Sequence, residues 1–212
     1  MLDLSNQVIL VAFGSTKVPE TIKAINYCQK LVKFYDTIYL TDSIITESNI
    51  RHILIKNIPS IKEYQKFIVY ESPEIILSNV DPKFSGHFLC INWDGFIVNP
   101  DAWRDEFLEY DYIGAPWPWF NHMVGNGGFC LKSKQFLSCQ KTICEKHNIQ
   151  HNEDVELCIV LRQKFESLGC KYANSKIGYT FSTEVGDINI NNSFGFHDFK
   201  YHTRYKHIVE VI

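Results

Sequence analysis

The chain has 212 residues, with 21 Lys and Arg against 24 Asp and Glu and a formal net charge of −3. That balance excludes the broad basic footprint of a general nucleic-acid binder, and no apolar stretch approaches the roughly 20 residues of a membrane-spanning helix. Hydrophobic residues at 45% and aromatic residues at 14% suffice for one large core, so a single α/β domain is expected. The seven cysteines contain no CxxC pair and read as small buried hydrophobes in a reducing compartment. The N-terminal MLDLSNQVILVAF lacks the basic region and cleavage site of a signal peptide, so a cytoplasmic location is expected.

Val8 to Phe13 reads as a buried strand that ends in Gly14-Ser15-Thr16. From Glu20 to Phe34, Ile22, Ala24, Ile25, Cys28, Leu31 and Val32 recur at helical spacing, and Thr37 to Leu40 is a second strand closing on Thr41-Asp42-Ser43. Strand, helix and strand make a right-handed βαβ unit. Ligands bind at the carboxyl ends of such strands, so Phe13, Gly14, Ser15 and Asp42 are candidates for base and ribose contacts. Asp42 suits a turn or a helix cap equally well. Neither GxGxxG nor GxxxxGK[ST] is present, which weighs against dinucleotide and P-loop readings.

Ile53 to Ile55 is a short third strand, and Ser60 to Ser78 is helical with an interruption at Pro73. Phe84 to Ile91 is a strand that stops at Asn92-Trp93-Asp94-Gly95. A carboxylate and a glycine at a strand end suit the ligand-binding edge of an open sheet, while Asp-Gly is also a favoured hairpin turn. Asn99-Pro100 predicts a helix start with Trp103, Phe107 and Leu108 on one face. A short strand from Asp111 to Gly114 leads into Ala115-Pro116-Trp117-Pro118-Trp119, whose prolines stiffen a wall carrying aromatic faces.

Gly125 to Gly128 is a turn whose backbone can approach a ligand closely. Gly127 to Leu131 is a further strand, and Ser133 caps a helix reaching about Glu145. Asn152 suits the N-cap of the periodic run from Val155 to Leu168, with acidic residues complementing its dipole and Gly169 stopping it. Tyr172-Ala173 and Tyr179 to Ser182 read as short extended pieces. Ser193 to Asp198 is too aromatic for a disordered end.

The succession NWDGF, EYDYIGAPW, VGNGGFCLKS, NEDVEL, YTFSTE and FGFH resembles a family of glycosyltransferases, defined by an uncharacterised domain, found beside polysaccharide genes. The similarity runs from about Tyr64 to His197. It implies a GT-A nucleotide-diphospho-sugar transferase fold: one α/β, Rossmann-like domain whose mixed, mostly parallel central sheet is flanked by helices. Residues 1–98 would form the nucleotide-binding half and 99–212 the acceptor and catalytic half.

What the resemblance implies for chemistry is a nucleotide-sugar donor, a glycan or other hydroxyl acceptor, and a divalent metal. Asp94 would hold Mn2+ or Mg2+ beside Asn92 and Trp93, although NWD offers one carboxylate where Asp-x-Asp offers two. His197 would be a late metal ligand, favouring manganese, or else a hydrogen-bonded histidine in an aromatic core. Asp154 would be the base of an inverting transfer, with Glu153 the alternative; about 100° apart on one helical turn, only one of them is expected to face the reaction. Gly127, Gly128, Trp117 and Trp119 would line the sugar pocket. Two other readings are a non-catalytic carbohydrate- or nucleotide-binding module of the same fold, and a transferase acting on modified bases in DNA. The basic run from Lys200 to His207 favours the latter, and the acidic net charge opposes it.

Overall fold

Val8 to Phe13 has no polar residue to give a solvated face, so it belongs in the middle of a sheet. In the computed structural model, which describes residues 1–185, 192–200, 203 and 206–209, β1 spans Leu2–Phe13 and is buried throughout from Val8 onward. Helix α1 (Val18–Leu31) covers it with Thr21, Ala24, Ile25 and Cys28. The helix ends earlier than its apolar spacing predicts, because Val32, Lys33 and Phe34 pair in parallel with Leu2, Asp3 and Leu4 as the start of β2 (Val32–Thr41). β3 (Arg51–Leu54) adds to the outer edge of β2.

Ser60 accepts a hydrogen bond from Glu63 N and starts α2 (Ile61–Lys66). A wide π-turn, Phe67–Glu71, then joins α2 to α3 (Ser72–Ser78). Pro73 therefore does not interrupt the helix. The loosened turn before it absorbs the ring and the missing N–H.

The apolar β4 (His87–Ile91) pairs in parallel with β1. β5 (Gly95–Ile97), β6 (Tyr112–Ile113), β7 (Pro116–Trp117) and β8 (Met123–Val124) are short, with β7 and β8 forming a hairpin. β9 (Phe129–Ser133) runs antiparallel to both β4 and β6. The resulting six-stranded sheet has the order β3-β2-β1-β4-β9-β6 and is mostly parallel, as the mixed α/β expectation required. Strands from beyond residue 98 complete the sheet that β1 to β4 begin.

Helix α4 (Lys134–Cys144) starts at Ser133, whose Oγ accepts from Phe136 N at 2.9 Å. α5 (Glu153–Val155) passes through the π-turn Glu156–Val160 toward α6 (Arg162–Ser167), and Gly169 leaves it with φ 85°. α7 (Ser175–Phe181) precedes β10 (Ser182–Thr183), and β11 is Gly195–His197. Of the basic run Lys200 to His207, Tyr201, His202, Arg204 and Tyr205 lie outside the described residues. All seven cysteines are free.

Three local expectations are corrected. No regular helix follows Asn99-Pro100. Two 3-10 turns, Pro100–Ala102 and Asp105–Glu109, stand there instead, separated by an extended Trp103 whose ring packs edge-on against Phe107 and Phe194. Tyr179 to Phe181 is helical, not extended, because Asn174 caps α7 by accepting from Ile177 N at 3.1 Å. Asn152 stands at the N-cap position of α5, yet its side-chain oxygen accepts from Gln65 Nε2 at 2.8 Å and caps nothing.

The Asp94-Gly95 turn is not a hairpin. Gly95 N donates to Asn92 O at 3.2 Å, and the chain then leaves β4 to pair with β11 in a separate sheet of order β10-β11-β5. The two sheets meet through glycines. A Cβ on Gly95 would lie 2.4 Å from the Gly128 carbonyl oxygen, which already accepts from Asn92 N at 2.9 Å. Gly95→Ala is therefore expected to lower unfolding free energy by about 2 kcal/mol or more, read by urea denaturation. A change below about 0.5 kcal/mol, the scale of an innocuous surface substitution, would refute the close approach.

Candidate active site

Register in the small sheet decides which side chains meet. β5 and β11 pair Gly95 with His197, while β10 and β11 pair Thr183 with Phe196. Asp94 and Glu184, each one residue outside a paired strand, thereby flank His197. Its Nε2 lies 3.3 Å from Asp94 Oδ1, and its Nδ1 lies 3.6 Å from Glu184 Oε1. Glu184 Oε2 also accepts from Trp117 Nε1 at 2.5 Å. A Cβ on Gly128 would lie 2.1 Å from His197 Nε2, so the ring rests directly on bare backbone. Burial works against the imidazolium, but the Asp94 and Glu184 carboxylates outweigh it and push His197 up to about 10.

Glu153 and Asp154 open α5 beside the same glycine turn. Gly127 N donates to Asp154 Oδ2 at 3.3 Å, and Val155 N donates to Asp154 Oδ1 at 2.8 Å. Glu153 Oε1 lies only 2.8 Å from where a Gly127 Cβ would sit. Both residues thus pack against Gly127, but Glu153 is buried and Asp154 is the more accessible of the two. The missing side chain at Gly127 leaves room for Glu153.

Burial, followed by the charge of Asp154, raises Glu153 to about 7. Burial also raises Asp154, against the opposing pull of the Gly127 and Val155 N–H groups. The charges of Lys132, buried on β9, and of His197 limit the rise of Glu153.

Phe13, Gly14, Ser15, Asn92 and Trp93 come together, with Thr16, Ile58, Ser60 and Tyr64, around a cleft of 260 Å³. Tyr64 Oη donates to Asn92 Oδ1 at 2.8 Å and fixes the approach to Asp94. Asp42 does not line this cleft. Its carboxylate accepts from Asn57 Nδ2 at 2.5 Å, which, despite partial burial, holds its pKa below the usual range.

Gly127 is partly exposed, but Gly128 is buried under His197 and can touch no sugar. Trp117 is likewise sealed, since a Cβ on Gly125 would lie 2.1 Å from its ring. Trp119, 59% exposed and stacked on Trp117 at 6.5 Å, is the tryptophan of this pair with a free face.

Sequence reasoning missed Glu184 and Glu156. Glu184 carries no local signal, because its neighbours are set by strand register. Glu156 is fully buried within NEDVEL. It accepts from Gln150 N at 2.6 Å and His151 N at 2.7 Å, and it meets His147 Nε2 at 2.6 Å. Its chemical role is to fix the segment that delivers Glu153 and Asp154. A buried carboxylate shortly after a cap position was the only available hint.

The family described as "Protein of unknown function (DUF5672)" matches residues 47–197. The chain belongs to that family. No curated protein sequence matches this DUF5672 member. Among solved structures, it is similar to a glycosyltransferase involved in glycosylation of the major capsid of PBCV-1. That likeness has a TM-score of 0.58 and 14% identity, and covers 95% of this chain and 98% of the other. It is also similar to the apo-form glycosyltransferase GlyE of Streptococcus pneumoniae TIGR4, with a TM-score of 0.55 and 13% identity over 91% of this chain. The match spans 54% of the GlyE chain. At these identities the likeness shows the fold, a GT-A-like arrangement used by glycosyltransferases. Among the described residues no helix is long and apolar enough to cross a membrane.

The Glu156 anchor gives a measurable consequence. Burial alone would raise its pKa, but His147 and the two backbone donors hold it below the ordinary 4.5. A depressed carboxyl stabilises the fold above its unfolded pKa and loses that contribution as pH falls through the folded value. Glu156→Ala is expected to cost about 3 kcal/mol at neutral pH, with the gap from wild type narrowing below pH 4.5. Chemical denaturation across pH checks both, and a gap that widens in acid would contradict the assignment.

Proposed function

We propose that this protein transfers a sugar from a nucleoside-diphosphate sugar to a hydroxyl of a glycan or similar acceptor, with inversion and with divalent-metal assistance. The observation that carries the reading is the 3.3 Å approach of Asp94 to His197, immediately beyond the cleft lined by Asn92 and Trp93, on a glycosyltransferase-like fold. The cleft would take the nucleoside. Gly127, partly exposed, would meet the transferred sugar, and Trp119 would offer its free face to the acceptor.

The residues fit a hard divalent ion in part. Two ligands at about 2.1 Å in adjacent octahedral positions stand about 3 Å apart, close to the 3.3 Å between Asp94 Oδ1 and His197 Nε2. Among the described residues no group of three or more His, Cys, Asp or Glu side chains could hold a metal. The diphosphate and water would therefore complete the coordination, so metal and donor should bind together. A proton competes for His197 Nε2, which makes that binding pH-dependent. When bound, the cation neutralises charge developing on the leaving diphosphate.

Asp154 is assigned as base because it is more accessible than Glu153, which is 8% exposed, and still has a raised pKa. It accepts the acceptor O–H proton as that oxygen attacks the anomeric carbon. The bond from that carbon to the diphosphate breaks, and its electron pair leaves with the phosphate. Glu153 and Lys132 behind it set the local field.

A second reading keeps the fold and drops catalysis, as a carbohydrate- or nucleotide-binding module. The single carboxylate of Asn92-Trp93-Asp94 favours it.

Asp154→Asn is expected to reduce transfer or hydrolysis of the accepted nucleotide sugar by about a hundredfold or more, while donor-induced thermal stabilisation persists. Asp94→Ala should abolish the stabilisation that Mn2+ adds to the nucleotide. Wild-type protein binding nucleotide sugar without turnover would favour the binding module. A product with retained anomeric configuration, read by NMR, would overturn Asp154 as base.

A further inference from the structure

Glu184 has geometry that the transfer reaction alone does not explain. Its two oxygens have different neighbours: Oε2 accepts from Trp117 Nε1 at 2.5 Å, and Oε1 lies 3.6 Å from His197 Nδ1. Among the described residues, His197 Nδ1 is buried without a hydrogen-bond partner, and the Glu184 carboxylate lies just outside hydrogen-bond distance of it. Trp117 needs only one acceptor, which leaves Oε1 for the histidine.

We propose that Glu184 is a positioning residue that holds the His197 ring from behind and keeps Nε2 turned toward Asp94. The ring has a carboxylate at each nitrogen and the Gly128 backbone against it. A half-turn about the ring axis would replace both nitrogens with carbons, losing both carboxylates together. Trp117, wedged against Gly125, anchors Glu184 in turn. The aromatic hairpin β7–β8 is thereby tied to the histidine that pairs with Asp94. Such outer partners typically set ring orientation and change metal affinity by 10- to 100-fold when removed.

Only the metal arm of the test rests on the proposed transferase reading. Glu184→Gln keeps the size and an acceptor for Trp117, but turns an amide donor toward Nδ1. In the full-length chain labelled with 15N-histidine, wild type is expected to show a slowly exchanging Nδ1–H resonance for His197 without metal. Glu184→Gln should lose it in a chain that stays folded, as read by circular dichroism.

With uridine or guanosine diphosphate present, Mn2+ affinity measured by electron paramagnetic resonance should fall about tenfold or more in Glu184→Gln. Absence of the protected resonance in wild type, or its survival unchanged in the variant, would overturn the proposal even if the variant bound Mn2+ poorly. If wild type binds no Mn2+ with either nucleotide, the metal reading fails while the resonance still decides the role of Glu184.

Discussion

The contact between Gly95 and Gly128 is the constraint on which the site depends. Asn92 N donates to the Gly128 carbonyl, and Gly95 packs so closely on that oxygen that no side chain fits. This joins the carboxyl end of β4 to the glycine turn before β9, and starts β5 where it can pair with β11. Asp94 then has one position available, beside His197, and its backbone oxygen accepts from Asp198 N at 3.2 Å. Gly128 serves twice, since its other open side receives the His197 ring. The neighbouring Gly127 does the same for Glu153. Absent side chains thus seat the functional ones.

Electrostatics follow from that crowding. Asp94, Glu153, Asp154 and Glu184 converge with His197 and, further back, the buried Lys132. Burial is the main reason Glu153 and Asp154 hold their protons to higher pH, and repulsion, from Asp154 on Glu153 and from Glu184 on Asp154, adds to it. A diphosphate would face the same repulsion. On the proposed reading, an acid-rich site beside the cleft favours a donor that arrives with its own cation.

Much of the main sheet was legible in the chain, because Val8 to Phe13 and Phe88 to Ile91 are apolar runs too short for helices and too continuous for edge strands. Ser133 announced α4 through ordinary capping chemistry. The small sheet was not legible. Its strands, Gly95–Ile97, Ser182–Thr183 and Gly195–His197, are too short to show alternation and come from distant parts of the chain. Asp94 and His197 were nameable from their motifs, yet their meeting was not, and Glu184 could emerge only from the register that sets it beside His197. The tryptophans misled for a similar reason. Trp117 and Trp119 look alike in sequence, but Gly125 buries the former and leaves the latter to solvent.

In the proposed reading, Asp94 and His197 form one metal-bearing edge of a nucleotide site. Crystals grown with Mn2+ and a nucleoside diphosphate, measured at the manganese absorption edge, test it most directly. An anomalous peak is expected at Asp94 Oδ1 and His197 Nε2, with the nucleoside between Phe13 and Trp93 and the diphosphate reaching the ion. A manganese peak elsewhere, or a nucleotide bound outside that cleft, would contradict it.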